Sequence, residues 1–236
     1  SVEAMQNREM IPIWDYTRGM AHYFRLDHAA ARDCFDRFLA RSQGNMLRSD
    51  ALFRKGMTLV LQDRYPEARR IFHQIAELEK SRFDEDEYAR RMAAVYRFRA
   101  PGGIEKELFR ARNLFDGGFY NRSLQILDQV EQTGKQLSEN EWTELYYRRG
   151  RNQQAKAEMS SAQQSYAACV SRTPGQALWM KVYACYYLGQ ISEQNNQLDQ
   201  ARLHYAKALT FDDYDYQSGL EQRTKAALER LDWEMP

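Results

Sequence analysis

The stretch CYYLGQISEQNNQLDQARLHYAKALTFDD, residues 185–213, decides the fold. Gly189 is followed twelve residues on by Ala201, and four beyond that by Tyr205. The same offsets recur at Gly19/Ala31/Phe35, Gly56/Ala68/Phe72 and Gly150/Ala162/Tyr166. At this composition, chance would place about 0.15 such triplets in the chain, so four copies mark an internal repeat. A degenerate copy, Ala111/Ser123/Leu127, keeps the turn Gly118-Phe119-Tyr120.

The spacing describes two antiparallel helices joined by a short turn. The Gly stands in the first helix, and the Ala and the aromatic stand one turn apart in the second. Glycine inside a helix costs up to ~1 kcal/mol, so its repeated use needs a packing reason. The expected reason is close approach of the second helix, with the Ala opposite the Gly and the aromatic filling the gap toward the next pair. Pro66 falls in the first turn of a second helix and Pro174 just after the end of another, both tolerated places. The pattern predicts no Pro inside a helix.

The units read as about 12–45, 49–82, 104–137 (the degenerate copy), 143–176 and 182–215. Between the second and third lies an insertion, 83–103, that reads as one helix from Asp84 to about Arg99. Tyr88, Met92, Val95 and Tyr96 recur at helical spacing and predict its buried face. Asp84, Glu85, Asp86 and Glu87 suit the positive end of that helix. Ala100-Pro101-Gly102-Gly103 ends it and is a candidate hinge at 100–103 in what otherwise reads as a single array over 1–236. A last helix at 217–233, with Leu220, Thr224, Ala227, Leu228 and Leu231 on its inner stripe, is the capping element that a repeat array requires.

Gly150, Ala162, Tyr166 and Pro174, with Leu188, Gly189, Ala201, Tyr205 and Ala208, resemble the tetratricopeptide repeat. The resemblance implies an all-α, right-handed superhelical array of antiparallel helix pairs that binds a peptide or helix on its concave face. Arg149 stands where that pattern has Leu, and the third copy lacks its Gly and Ala. The order of the units is also similar to the C-terminal region of longer bacterial repeat proteins, a resemblance that assigns no activity. The Lys and Asn residues with which some relatives bind acidic chaperone tails are replaced here by Tyr16, Met20 and Arg54, against that partner.

Composition excludes several functions. Lys+Arg is 34 and Asp+Glu 33, for a net charge of +1, so no field favours nucleic acid or a membrane surface. No run approaches the ~18 apolar residues of a membrane-spanning helix. Cys34, Cys169 and Cys185 are too few and too scattered for a disulfide framework or metal site and read as buried free thiols. His22, His28, His73 and His204 lack zinc spacing, and no phosphate loop, dinucleotide loop or nucleophile elbow occurs. Asp212, Asp213 and Asp215 lack the spacing of a calcium loop. No catalytic residue, cofactor or metal is therefore expected. The start Ser1-Val2-Glu3 reads as a trimmed or mature fragment, which leaves the compartment open between cytoplasm and periplasm.

The first helices of such an array line its binding face. In the first two units the lining reads Ile13, Tyr16, Met20, Tyr23, Asp50, Phe53, Met57 and Val60, an apolar stripe expected to meet a preceding segment. Later units carry Arg112, Tyr147, Arg148, Arg151, Gln154, Tyr183, Tyr186 and Gln190, the candidate partner-binding residues, because exposed Tyr and Arg are common anchors. Arg112, Arg148 and Arg151 suit a carboxylate or acidic peptide, or else pair with Glu105 and Glu144. The resulting expectation is a non-catalytic protein–protein interaction scaffold. The alternatives are a glycan-binding component of a bacterial envelope or uptake system, stacking sugars on Tyr183, Tyr186 and Tyr187, and a peptide-sensing regulatory module.

Overall fold

The computed structural model describes residues 2–133 and 137–233, with side chains described from Pro12 to Leu231 within that range. Those residues form twelve α-helices and no strand. The chain divides into two compact units, 1–119 and 120–236.

In the first unit α1 (Val2–Phe24) pairs with α2 (His28–Arg41), and α3 (Arg48–Val60) with α4 (Tyr65–Glu77). Helix α5 (Asp84–Tyr96) packs on both α3 and α4, as the first helix of a further pair would, and α6 (Gly103–Asp116) packs on α1. In the second unit α7 (Tyr120–Gln132) packs on α8 (Glu139–Ala155), which pairs with α9 (Met159–Val170). Helix α10 (Leu178–Gln194) pairs with α11 (Leu198–Ala208), and α12 (Gln217–Trp233) closes the unit against both. Leu220, Thr224, Ala227 and Leu231 are buried beneath α12, as a capping helix requires.

The helical glycines are answered by the aromatic ring, and not by the Ala that the spacing suggested. A Cβ at Gly19, Gly56 or Gly150 would lie 2.7, 2.5 and 2.6 Å from the ring of Phe35, Phe72 and Tyr166, and Gly189 meets Tyr205 in the same way. The repeat is also written in the backbone of its turns. Leu26, Asp63, Gly118, Ala157 and Asn196, each seven residues after the glycine position, all take left-handed conformations. One residue later Asp27, Arg64, Phe119, Glu158 and Gln197 donate their N–H to the carbonyls of His22, Leu59, Leu114, Gln153 and Ser192, five residues back. This is the six-to-one bond that terminates a helix at a left-handed residue. The degenerate copy keeps this turn although it has lost its Gly and Ala.

Two expectations are corrected. Pro12 lies inside α1, because that helix begins at Val2. The buried face of α5 is Asp86, Ala89, Ala93 and Tyr96; Tyr88 and Met92 are half-buried and Val95 is exposed. Asp86 does more than favour its own helix end. Its carboxylate accepts the N–H groups of Leu47 at 2.8 Å and Asp50 at 2.9 Å, and so caps α3. The Pro101-Gly102-Gly103 segment lies inside the first unit. Glu105 bridges it, accepting from Arg99 at 2.6 Å and from the Gly102 N–H at 3.3 Å. All three cysteines are free and buried, and burial pushes the Cys185 thiol up to about 11.

Candidate binding face

In the second unit the face presented by α8 and α10 is built from aromatic rings. Tyr187 stands at its centre. It stacks on Tyr166 at 5.3 Å between centroids and touches Tyr186 at 5.8 Å and Tyr183 at 6.1 Å. Trp179, at the start of α10, meets Tyr147, Tyr183 and Tyr216 edge-on at 5.5, 5.9 and 5.6 Å. Trp179 and Tyr216 thus join the face beside the residues that the sequence points to, and Tyr187, expected there only to stack on sugars, is its centre. The signal was available, because Trp179, Tyr183 and Tyr187 recur every four residues.

The eight candidate residues fall into different roles. Arg112 belongs to the first unit, on α6, where it donates to the Tyr88 hydroxyl at 2.6 Å. The other seven lie in the second unit. Tyr147 is only 5% exposed, so it supports the face more than it presents a surface. Arg148 donates to Glu144 at 2.7 Å, the neutralised pair foreseen as the alternative to ligand binding. Gln154 accepts the Tyr166 hydroxyl at 2.7 Å and is committed to holding that ring over Gly150. Arg151, Tyr183, Tyr186 and Gln190 remain half-buried on the face itself.

These four form a graded surface. The Arg151 guanidinium lies 4.9 Å from the Tyr187 ring centre and donates to the Tyr147 hydroxyl at 3.3 Å. Gln190 donates to the Tyr186 hydroxyl at 3.2 Å. Burial pushes the Tyr183 and Tyr186 hydroxyls up, against the nearby Arg223 charge on α12. The hydroxyls are therefore neutral donors and acceptors at physiological pH. Burial raises the Cys169, Tyr147 and Tyr166 groups as well, which disfavours their anionic, nucleophilic forms. Among the described residues no three His, Cys, Asp or Glu side chains gather as a metal set, and no helix is long and apolar enough to cross a membrane. What the face offers is ring area, oriented hydroxyls and a guanidinium, the chemistry of recognition.

The glycine-on-ring packing and the left-handed turn are shared by the two parts of the chain that match models of known families. Residues 50–79 and 182–215 each match a tetratricopeptide repeat model. Two tetratricopeptide repeats are therefore present. The second repeat carries α10 and α11, and so holds Tyr183, Tyr186, Tyr187 and Gln190; the first carries α3 and α4. No curated protein matches the chain. Paired helices of this kind are a general scaffold for binding proteins or peptides.

Proposed function

We propose that the chain binds a peptide or helix of a partner protein on the α8–α10 face of its second unit, with Arg151, Tyr183, Tyr186 and Gln190 as the contact residues. One observation carries this reading: Tyr147, Trp179, Tyr183, Tyr186, Tyr187 and Tyr216 are gathered with the Arg151 guanidinium, and Tyr183, Tyr186 and Tyr187 among them stay half-buried rather than closed into the core. Tyr, Trp and Arg dominate the residues whose loss costs most at protein interfaces.

The test is capture from native extract by the wild type beside an Arg151→Ala/Tyr183→Ala/Tyr186→Ala/Gln190→Ala variant. Tyr147 is left intact because its ring is buried. A protein held by the wild type and lost by the variant, at unchanged helix content, supports the assignment. Equal retention by both chains removes it. A glycan in place of a protein in the retained fraction transfers the same face to the carbohydrate-binding alternative.

A further inference from the structure

We propose that the exposed surface where α4 meets the end of α5 docks a short acidic segment of a partner protein, with an apolar side chain of that segment on Phe98. A helix ends with carbonyls that have no partner of their own. At the end of α5 two of them are taken by α4. The Tyr65 hydroxyl donates to the Tyr96 carbonyl at 2.7 Å, and Arg69 donates through Nε to the Arg97 carbonyl at 2.9 Å. The turn that carries Phe98 is thereby pinned to α4. Yet Phe98 itself is 70% exposed, more than any other large apolar side chain among the described residues. Val95, one turn earlier, is 42% exposed. Apolar area left in water contributes little to the fold, so the pinned turn presents a ring that the first unit does not bury.

The surroundings of that ring are cationic. The Arg97 guanidinium lies 4.6 Å from the ring centre, and His73 meets it edge-on at 6.4 Å. Pro66, Arg69, Arg70 and His73 fall at helical spacing along α4 and line a shallow, open groove of about 410 Å³. Elsewhere in the first unit surface cations are paired, Arg64 with Glu67, Arg99 with Glu105 and Lys55 with Asp36. Among the described residues no carboxylate pairs with Arg69, Arg70, His73 or Arg97. Glu67 feels the charge of Arg70, but Arg64 holds both of its oxygens at 2.6 Å. The Nε of Arg97 is buried without a partner. Like charges gathered in this way are complementary to an anion, and Arg with an aromatic ring is the usual make-up of a docking site. Glu67 and Glu77 bound the cationic stretch of α4 at its two ends. A long polyanion laid along the helix would meet those carboxylates, whereas a short acidic segment fits between them. This inference is independent of the reading of the second unit.

The test is an amide-detected NMR titration of the full chain with the peptide acetyl-Glu-Glu-Leu-Glu-Glu-amide. Shift changes should gather at Arg69, Arg70, His73, Arg97 and Phe98, and added salt should weaken them. The neutral Gln-Gln-Leu-Gln-Gln analogue should bind about tenfold more weakly. An Arg70→Ala/Phe98→Ala chain should lose about tenfold in affinity for the acidic peptide at unchanged helix content, because both side chains are exposed. The Arg151→Ala/Tyr183→Ala/Tyr186→Ala/Gln190→Ala chain, altered only in the second unit, should bind this peptide as the wild type does. No shift change, shifts gathered on α8 and α10 instead, equal affinity for the neutral peptide, or unchanged binding by the Arg70→Ala/Phe98→Ala chain overturns the proposal. Tighter binding of a single-stranded oligothymidylate at the same residues also overturns it, since the ligand would then be a nucleic acid.

Discussion

Counted from the glycine of each first helix, the same positions carry opposite chemistry in the two units. One residue after it stand Met20 and Met57 in the first unit, but Arg151 and Gln190 in the second. Four after it stand Tyr23 and Val60, against Gln154 and Glu193. Phe53, Met57, Val60 and Tyr23 are buried, whereas Arg151, Gln154, Gln190 and Glu193 are half-buried. The helix pairs and their turns are alike, so backbone geometry does not decide whether such a face is filled or presented. A few side chains per helix decide it. The difference reaches the glycine contact as well. Where the ring over the glycine is Phe35 or Phe72, the residue four after the glycine is Tyr23 or Val60. Where it is Tyr166 or Tyr205, that residue is Gln154 or Glu193, and it accepts the ring hydroxyl at 2.7 and 2.9 Å.

The largest expected contrast lies in two ion pairs at the same register. Arg54 donates to Asp50 at 3.0 Å and Arg148 to Glu144 at 2.7 Å, each pair six and two residues before its glycine. Asp50 is fully buried, and its carboxylate also accepts the Tyr16 hydroxyl at 2.8 Å. The Glu144 side chain is 25% exposed. Arg54→Met strands a buried carboxylate and should cost about 3–5 kcal/mol. Arg148→Met leaves a carboxylate that water reaches and should cost about 1 kcal/mol or less. Urea unfolding of both variants measures the two losses. Equal losses would break the contrast between a filled and an open face.

A smaller contrast separates the glycines. Adding a methyl at Gly56 or Gly189 forces it into the ring of Phe72 or Tyr205, and overpacking of this kind costs about 1–3 kcal/mol. The gain in helix propensity returns up to ~1 kcal/mol. Phe72 can slide, whereas Tyr205 is pinned through its hydroxyl to Glu193, which also pairs with Arg230. Gly189→Ala should therefore cost more than Gly56→Ala, by the ~1 kcal/mol of the strained hydrogen bond. Tyr205→Phe in the Gly189→Ala background should remove that excess. An unchanged excess in the double variant would show that ring packing alone sets the cost.

The helix pairs were legible because Gly, Ala and aromatic residues repeat at fixed offsets, and close approach admits few other residues there. The coupling of Tyr166 to Gln154 and of Tyr205 to Glu193 was equally present in the letters, twelve residues apart, but a search for apolar periodicity does not register a polar pair. The position of α6 was not legible. Its contacts with Leu61, Tyr88 and Phe24 span 24 to 93 residues and follow no period. The buried face of α5 was misjudged because Val95 and Ala93 are both compatible with a helical stripe, and only the neighbours α3 and α4 select between them. Of the candidate site, residue types were readable and accessibility was not. Tyr147 and Tyr186 hold the same register, yet Trp179 and Arg151 cover the first.

The smallest effect concerns two histidines, one in each unit. Burial, with Arg110 and Arg32 nearby, lowers the pKa of His28 below the ordinary histidine value, and burial with Lys207 lowers that of His204. Each fold therefore prefers the neutral ring. Above the unfolded value of ~6.5 both states hold the ring neutral, and the stabilisation is fully present. As pH falls through ~6.5 the unfolded chain takes up the proton first, and stability is lost until the pH passes the lower folded value. Between pH 7.5 and 5.5 the wild type should thus lose more thermal stability than a His28→Gln/His204→Gln chain. The single variants assign the slope to a unit. His28 faces two arginines, offset in part by Asp27, and is buried more deeply than His204 with its one lysine, so His28→Gln should flatten the slope more. A larger change from His204→Gln would mean that the charges around α6, Arg110 among them, weigh less on the first unit than its packing does.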